Sequence, residues 1–158
     1  QRLDALAKNN STVKLNNKLK IQQEKSNMSF FPNLPVMYAN SENGFAGSKE
    51  AFEDLEKHLL HKLEGRKFYG VYQPATNEYR ACVSRISTDD PTWFGLSAWV
   101  IPSGRYFRLK IKEKTESTSD RQKLIERIVE ERAHQINRKK PLIEFFRTAD
   151  ELILYLPK

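Results

Sequence analysis

Phe68-Tyr69-Gly70-Val71-Tyr72, then Gln73-Pro74-Ala75-Thr76-Asn77, then Glu78-Tyr79-Arg80-Ala81-Cys82-Val83-Ser84 are two β-rich runs around a Pro/Asn turn. That pattern reads as an antiparallel hairpin. Along its second run Tyr79, Ala81 and Val83 share one face. The plan returns at Leu142 to Arg147, a Thr148-Ala149-Asp150 turn, and Leu152 to Leu156.

Each hairpin is preceded by helical spacing. Phe52, Leu55, Leu59 and Leu63 recur at the helical period, with Ser48 as the expected N-cap and Gly65 as the stop. Leu124, Ile125, Ile128, Val129 and Ile136 form a second apolar stripe. Asp120 is its expected cap, and Arg138-Lys139-Lys140 and Pro141 are expected to close it. Val36 to Ala39 predicts a strand before the first helix. Leu96 to Ile101 and Arg105 to Lys112, around Pro102-Ser103-Gly104, predict two before the second. Ser87 to Pro91 reads as a polar loop, and Glu113 to Ser119 as a spacer.

Strand, helix, hairpin therefore occurs twice. The expected class is α+β: a tandem β-α-β-β duplication with two helices packed on a mostly antiparallel sheet and a ligand groove between the halves. The expected domain covers residues 29–158, with pseudo-repeats near 29–86 and 94–158. Residues 1–28 read as a linker or the end of a preceding element.

Composition agrees with one folded unit. The 158 residues are 39% hydrophobic and 30% charged, enough to bury a core, and the longest apolar stretches, such as Trp99 to Pro102 and Leu152 to Leu156, are far too short to span a bilayer. The formal charge is +7, but residues 1–28 carry six basic and two acidic residues, more than half of that excess. The expected domain is nearly balanced, unlike a typical nucleic-acid-binding surface. Cys82 stands alone, so no internal disulfide forms, and the cytoplasm is the expected compartment.

Catalytic signatures are absent from the sequence: no Gly-rich phosphate loop, dinucleotide fingerprint or G-x-S-x-G elbow. Cys82 lies inside a strand and reads as a packed thiol. His58 and His61 lack further ligands at zinc spacing, so neither a metal nor a cofactor is expected. The expected role is binding rather than catalysis. Arg138-Lys139-Lys140 reads as a solvated helix end.

Aromatic residues crowd the expected sheet: Tyr69, Tyr72, Tyr79, Trp93, Trp99, Tyr106, Phe145, Phe146 and Tyr155. Core packing accounts for many of them. Tyr and Trp also carry polar groups that need partners, which suggests a partly open cavity. Glu144 is the odd residue, set in Leu142-Ile143-Glu144-Phe145-Phe146. If Ile143 and Phe145 face the helices, Glu144 and Phe146 point together to the other face. The carboxylate then lies on a solvated face, pairs with a neighbouring Arg, or sits in an aromatic pocket where a cation or hydrogen-bond donor must compensate it.

Gly65 to Tyr72, Glu78 to Val83, Trp99 to Tyr106, and Ile143 to Phe146 continuing through Leu152 to Pro157 resemble the GyrI-like small-molecule-binding domain. That domain is the effector module of multidrug-sensing MerR-family and some AraC-family regulators. The resemblance covers residues 35–158 and implies the tandem duplication, an SHS2-type module, and a pocket for hydrophobic, often cationic or planar compounds. It implies Glu144 as the cation partner, with Phe146 and Tyr155 as walls and Tyr72, Tyr79, Trp99 and Tyr106 as further walls. Some relatives hydrolyse strained cyclopropane compounds through a Trp-x-Glu motif; this chain lacks the motif, which leaves such hydrolysis in the same pocket as the alternative to binding. The expected partners are hydrophobic or cationic small molecules and a second copy in a homodimer, without membrane. Nucleic acid is expected only through a DNA-binding domain outside this chain, because the leading residues are too few for a helix-turn-helix.

Overall fold

A computed structural model describes residues 27–111 and 117–158. The expected linker lies outside these residues as far as position 26, and so does most of the expected spacer after Glu113.

Eight strands form one sheet: β1 (Asn27–Phe31), β2 (Leu34–Asn40), β3 (Phe68–Gln73), β4 (Glu78–Ser84), β5 (Ser97–Ile101), β6 (Gly104–Ile111), β7 (Leu142–Thr148) and β8 (Glu151–Pro157). Their order is β1-β6-β8-β7-β3-β4-β2-β5, and every neighbouring pair is antiparallel. The sheet curls as a half-barrel. Helix α1 (Ser48–His58) follows a 3-10 turn at Gly44–Gly47. Helix α2 (Pro91–Phe94) is a single turn, and α3 is Thr118–Glu131. The architecture is α+β. Both hairpins form as expected, and their inner strands β3 and β7 meet at the centre of the sheet.

The local chemistry shifts several boundaries. Ser48 does not cap α1; it is the first helical residue, with Gly47 at the N-cap. The helix ends before Leu63 because Leu60 and His61 both adopt φ of 56°, a left-handed conformation that breaks the hydrogen-bond ladder. Asp120 does not cap α3. The Ser117 hydroxyl does, accepting from the Asp120 backbone N–H at 3.0 Å. Helix α3 ends at Glu131, so the 138–140 basic run lies in the turn before β7. The expected polar loop after Ser87 runs into α2, where the Asp90 carboxylate caps the turn and Pro91 opens it. Trp93 belongs to α2 and is exposed, not a sheet residue.

Two apolar layers lie on the helix side of the sheet. Leu124, Ile125 and Ile128 of α3 pack on Leu109, Ile111, Leu154 and Leu156. Ala51, Leu55 and the following Leu59 pack on Met37, Ala39, Ala81 and Val83. Each helix thus covers an outer part of the sheet and leaves central β3 and β7 between them. The curl of the sheet shelters a third layer on the opposite face, with Phe31, Val36, Tyr69, Val71, Cys82, Ile101, Tyr106 and Ile143 buried.

Candidate functional site between the two long helices

Register sets the floor of the site. On β3 and β7, Phe68 pairs with Phe146, Gly70 with Glu144, and Tyr72 with Leu142. Strand period 2 turns all six toward the helices. Tyr69 and Phe145 fall on the other face, where their rings stack at 4.8 Å between centroids. The conditional sheet assignment is therefore reversed: Ile143 and Phe145 face away from the helices, while Glu144 and Phe146 face them. Their pairing on one face stands.

Above Phe68 and Phe146 a groove of about 700 Å³ runs between α1 and α3. Ser48, Lys49, Phe52, Glu53 and Glu56 of α1 form one wall; Ser117, Thr118 and Arg121 form the other. Phe52 meets Phe146 edge to face at 5.2 Å. Lys49 and Arg121 lie near the helix starts, whereas Glu53 and Glu56 lie further along α1.

Glu144 does not itself line the groove but is bonded to Arg121, which does, and it is 0% exposed. Its Oε2 accepts from Arg121 Nε at 2.8 Å, and its Oε1 accepts from the Tyr79 hydroxyl at 2.6 Å. Arg121 Nη2 donates to the Ser48 hydroxyl at 2.7 Å, which joins the starts of the two helices. The guanidinium also stands 4.7 Å from the centroid of Phe45 and 5.6 Å from that of Phe146. A buried carboxylate thus meets a cation held among aromatic rings.

Burial pushes the Glu144 carboxyl above its usual range, while Arg121 and Tyr79 pull against that rise. Burial also drives the Tyr79 phenol well up, and the Glu144 charge adds to it. For Arg121 burial is the largest effect and works against the charge, yet Glu144 and Tyr79 together outweigh it and the guanidinium is raised. Arg121 stays a cation.

The seven expected site residues divide. Glu144, Tyr79 and Phe146 come together, with only Phe146 lining the open groove. Tyr72 faces the same side but is buried against Phe45 and Tyr79. Tyr106 and Tyr155 pack with Phe31 on the opposite face and wall no part of this groove. Trp99 also lies on that face, where it and Tyr38 hold Arg80 with each ring centroid 4.5 Å from the guanidinium carbon. A ligand cation expected on Glu144 meets a position already taken by Arg121. Arg121, Ser48, Phe45 and Phe52 were not legible as site residues. An Arg in the first turns of a helix reads as solvated, and nothing local links it to residue 144. Among the described residues no group of three His, Cys, Asp or Glu side chains could hold a metal ion, and no helix is long and apolar enough to cross a membrane.

The sequence matches no family model and no curated protein. Solved structures share the fold. An integron cassette protein from the mobile metagenome of Vibrio cholerae superposes with a TM-score of 0.61 at 16% identity, over 83% of this chain and 94% of that one. SAV2435 bound to tetraphenylphosphonium gives 0.58 at 8% identity, over 83% and 92%. The C-terminal domain of EcmrR gives 0.55 at 11% identity, over 83% and 94%. EcmrR in its complex with DNA gives 0.52 at 11% identity, over 99% of this chain and 65% of that one. These likenesses show that the chain shares their fold.

Proposed function

We propose that the groove between α1 and α3 binds hydrophobic, planar small molecules, and that residues 29–158 act as the effector-binding domain of a ligand-responsive regulator. The observation that carries this reading is the open cavity of about 700 Å³ floored by the Phe68–Phe146 pair and walled by Phe52. A volume of that size suits a drug-sized ligand. Ring edges and faces accept many shapes, so a multidrug-like tolerance follows from the same residues.

The likeness to SAV2435, solved with tetraphenylphosphonium, and to EcmrR, solved with DNA, supports effector binding and a regulatory setting. Nucleic acid would then be met through a separate DNA-binding domain. The recurrence of β-α-β-β as β2-α1-β3-β4 and β6-α3-β7-β8 supports a tandem duplication, with the groove where its halves meet. A cytoplasmic address, with Cys82 kept as a thiol, fits this role.

The test is a fluorescence titration of the intact protein with N-phenyl-1-naphthylamine, an uncharged aromatic probe. Saturable binding is expected, weakened about tenfold in Phe146→Ala by loss of one stacking wall, with the probe recovered unchanged by mass spectrometry. Absence of saturable binding, or equal affinity in Phe146→Ala, overturns the reading.

A further inference from the structure

We propose that Arg121 is the groove's resident cation: it fills the seat between Glu144, Phe45 and Phe146, so the groove selects uncharged aromatic ligands and keeps a latent cation site. This rests on the groove being a ligand site, and it names the charge class of what that site takes.

The seat has every feature that recognises an organic cation. It offers a carboxylate with no solvent access, a phenol that orients it, and two rings near the charge. Arg121 uses all of them from within the chain. A tethered group competes at an effective concentration in the millimolar range or above, so a free cation must displace it against that advantage. A cation that enters without displacing it gains no free carboxylate, since Arg121 already neutralises Glu144. On the rim, Lys49 and Glu53 are both exposed, where water and salt screen them alike, and the partly buried Glu56 lies further along α1, away from the seat that Arg121 fills. An uncharged ring system escapes these penalties and keeps the stacking on Phe52, Phe68 and Phe146. A ligand acceptor atom can also meet the edge of the guanidinium that Glu144 and Ser48 leave unused.

Removing the arginine should reverse the preference. In Arg121→Ala, Glu144 is left buried without its cation, and a flat amidinium can take the vacated place. Isothermal titration and thermal shift with benzamidinium test this. Arg121→Ala is expected to bind at least about tenfold more tightly than the native protein and to be raised in Tm by the ligand. Arg121→Gln retains hydrogen-bonding capacity without charge, and it serves if Arg121→Ala does not fold. Arg121→Lys keeps the charge and should still exclude benzamidinium. Arg121→Gln combined with Glu144→Gln should lose the gain.

The proposal is overturned if the native protein binds benzamidinium as tightly as Arg121→Gln, or if the gain survives removal of the Glu144 charge. Failure of N-phenyl-1-naphthylamine to bind the native protein defeats the ligand-site reading and the selectivity for uncharged ligands with it, whereas the benzamidinium comparison by itself decides whether Arg121 fills a cation seat.

Discussion

Gly70 on β3 lets the Tyr79 hydroxyl of β4 pass over it: a Cβ at Gly70 would overlap that hydroxyl and approach Glu144 Oε1 to 2.7 Å. Gly70 pairs with Ala81 on one side and Glu144 on the other, so the Tyr79–Glu144 hydrogen bond crosses a whole strand. The missing side chain of Gly70 is the space in which the bond is made.

Gly70→Ala should therefore destabilise the fold by about 1–3 kcal/mol, the usual scale of overpacking. Urea denaturation followed by tryptophan fluorescence measures it. An unchanged midpoint would show that Tyr79 does not cross the strand.

Tyr79→Phe keeps the ring against Phe45 and Phe52 but strips a donor from a buried carboxylate. The expected loss is about 1.5–3 kcal/mol, as for a hydrogen bond to a charged group. The same denaturation experiment reports it, and a loss near zero would mean that Arg121 alone satisfies Glu144.

Arg66 grips Asp89 through two hydrogen bonds of 3.0 Å, while Asp89 Oδ2 also accepts from the Ile86 backbone N–H. The Arg66 hydrogen bonds lower the Asp89 carboxyl below its usual range, more than burial raises it. A depressed carboxyl contributes stability that is present above its unfolded pKa, about 3.9, and is lost as pH falls through the folded value. Asp89→Asn should cost about 1.5–3 kcal/mol at neutral pH. Its Tm gap to the native protein should close as pH falls from about 5 through the acid range.

Cys82 is fully buried and its thiol is pushed up by burial, with the Arg80 charge only partly offsetting this. A low thiolate fraction and no access predict that a disulfide reagent reacts about 10³-fold or more slowly than with the unfolded chain. Comparing rates in buffer and in denaturant checks this; similar rates would place Cys82 in an opening segment.

Much of the architecture was legible because it is written in short periods. Alternation around Pro74 and Asn77, and around Thr148 to Asp150, marks the hairpins; spacing from Phe52 to Leu59 and from Leu124 to Val129 marks the helices. Strand β1 escaped that reading, since it is brief, carries exposed Met28 and Phe30, and pairs with β6 some eighty positions away. The one-turn helix at Pro91 is likewise too short to show a period.

Glu144 could be singled out from its neighbours alone, since a carboxylate amid apolar residues demands compensation wherever it points. Which way it points could not. Period 2 divides a strand into two faces without naming the one the helices cover, and the single ring-walled pocket that the resemblance implies does not separate Tyr106, Tyr155 and Trp99, which lie on the other side of the sheet. The partner was hidden for a related reason: Arg121 reaches Glu144 only because α3 docks beside α1 over the junction of β3 and β7. Local sequence determined the elements and the acid at their centre. Packing between distant segments decided that the acid faces the helices and that its cation comes from the chain itself.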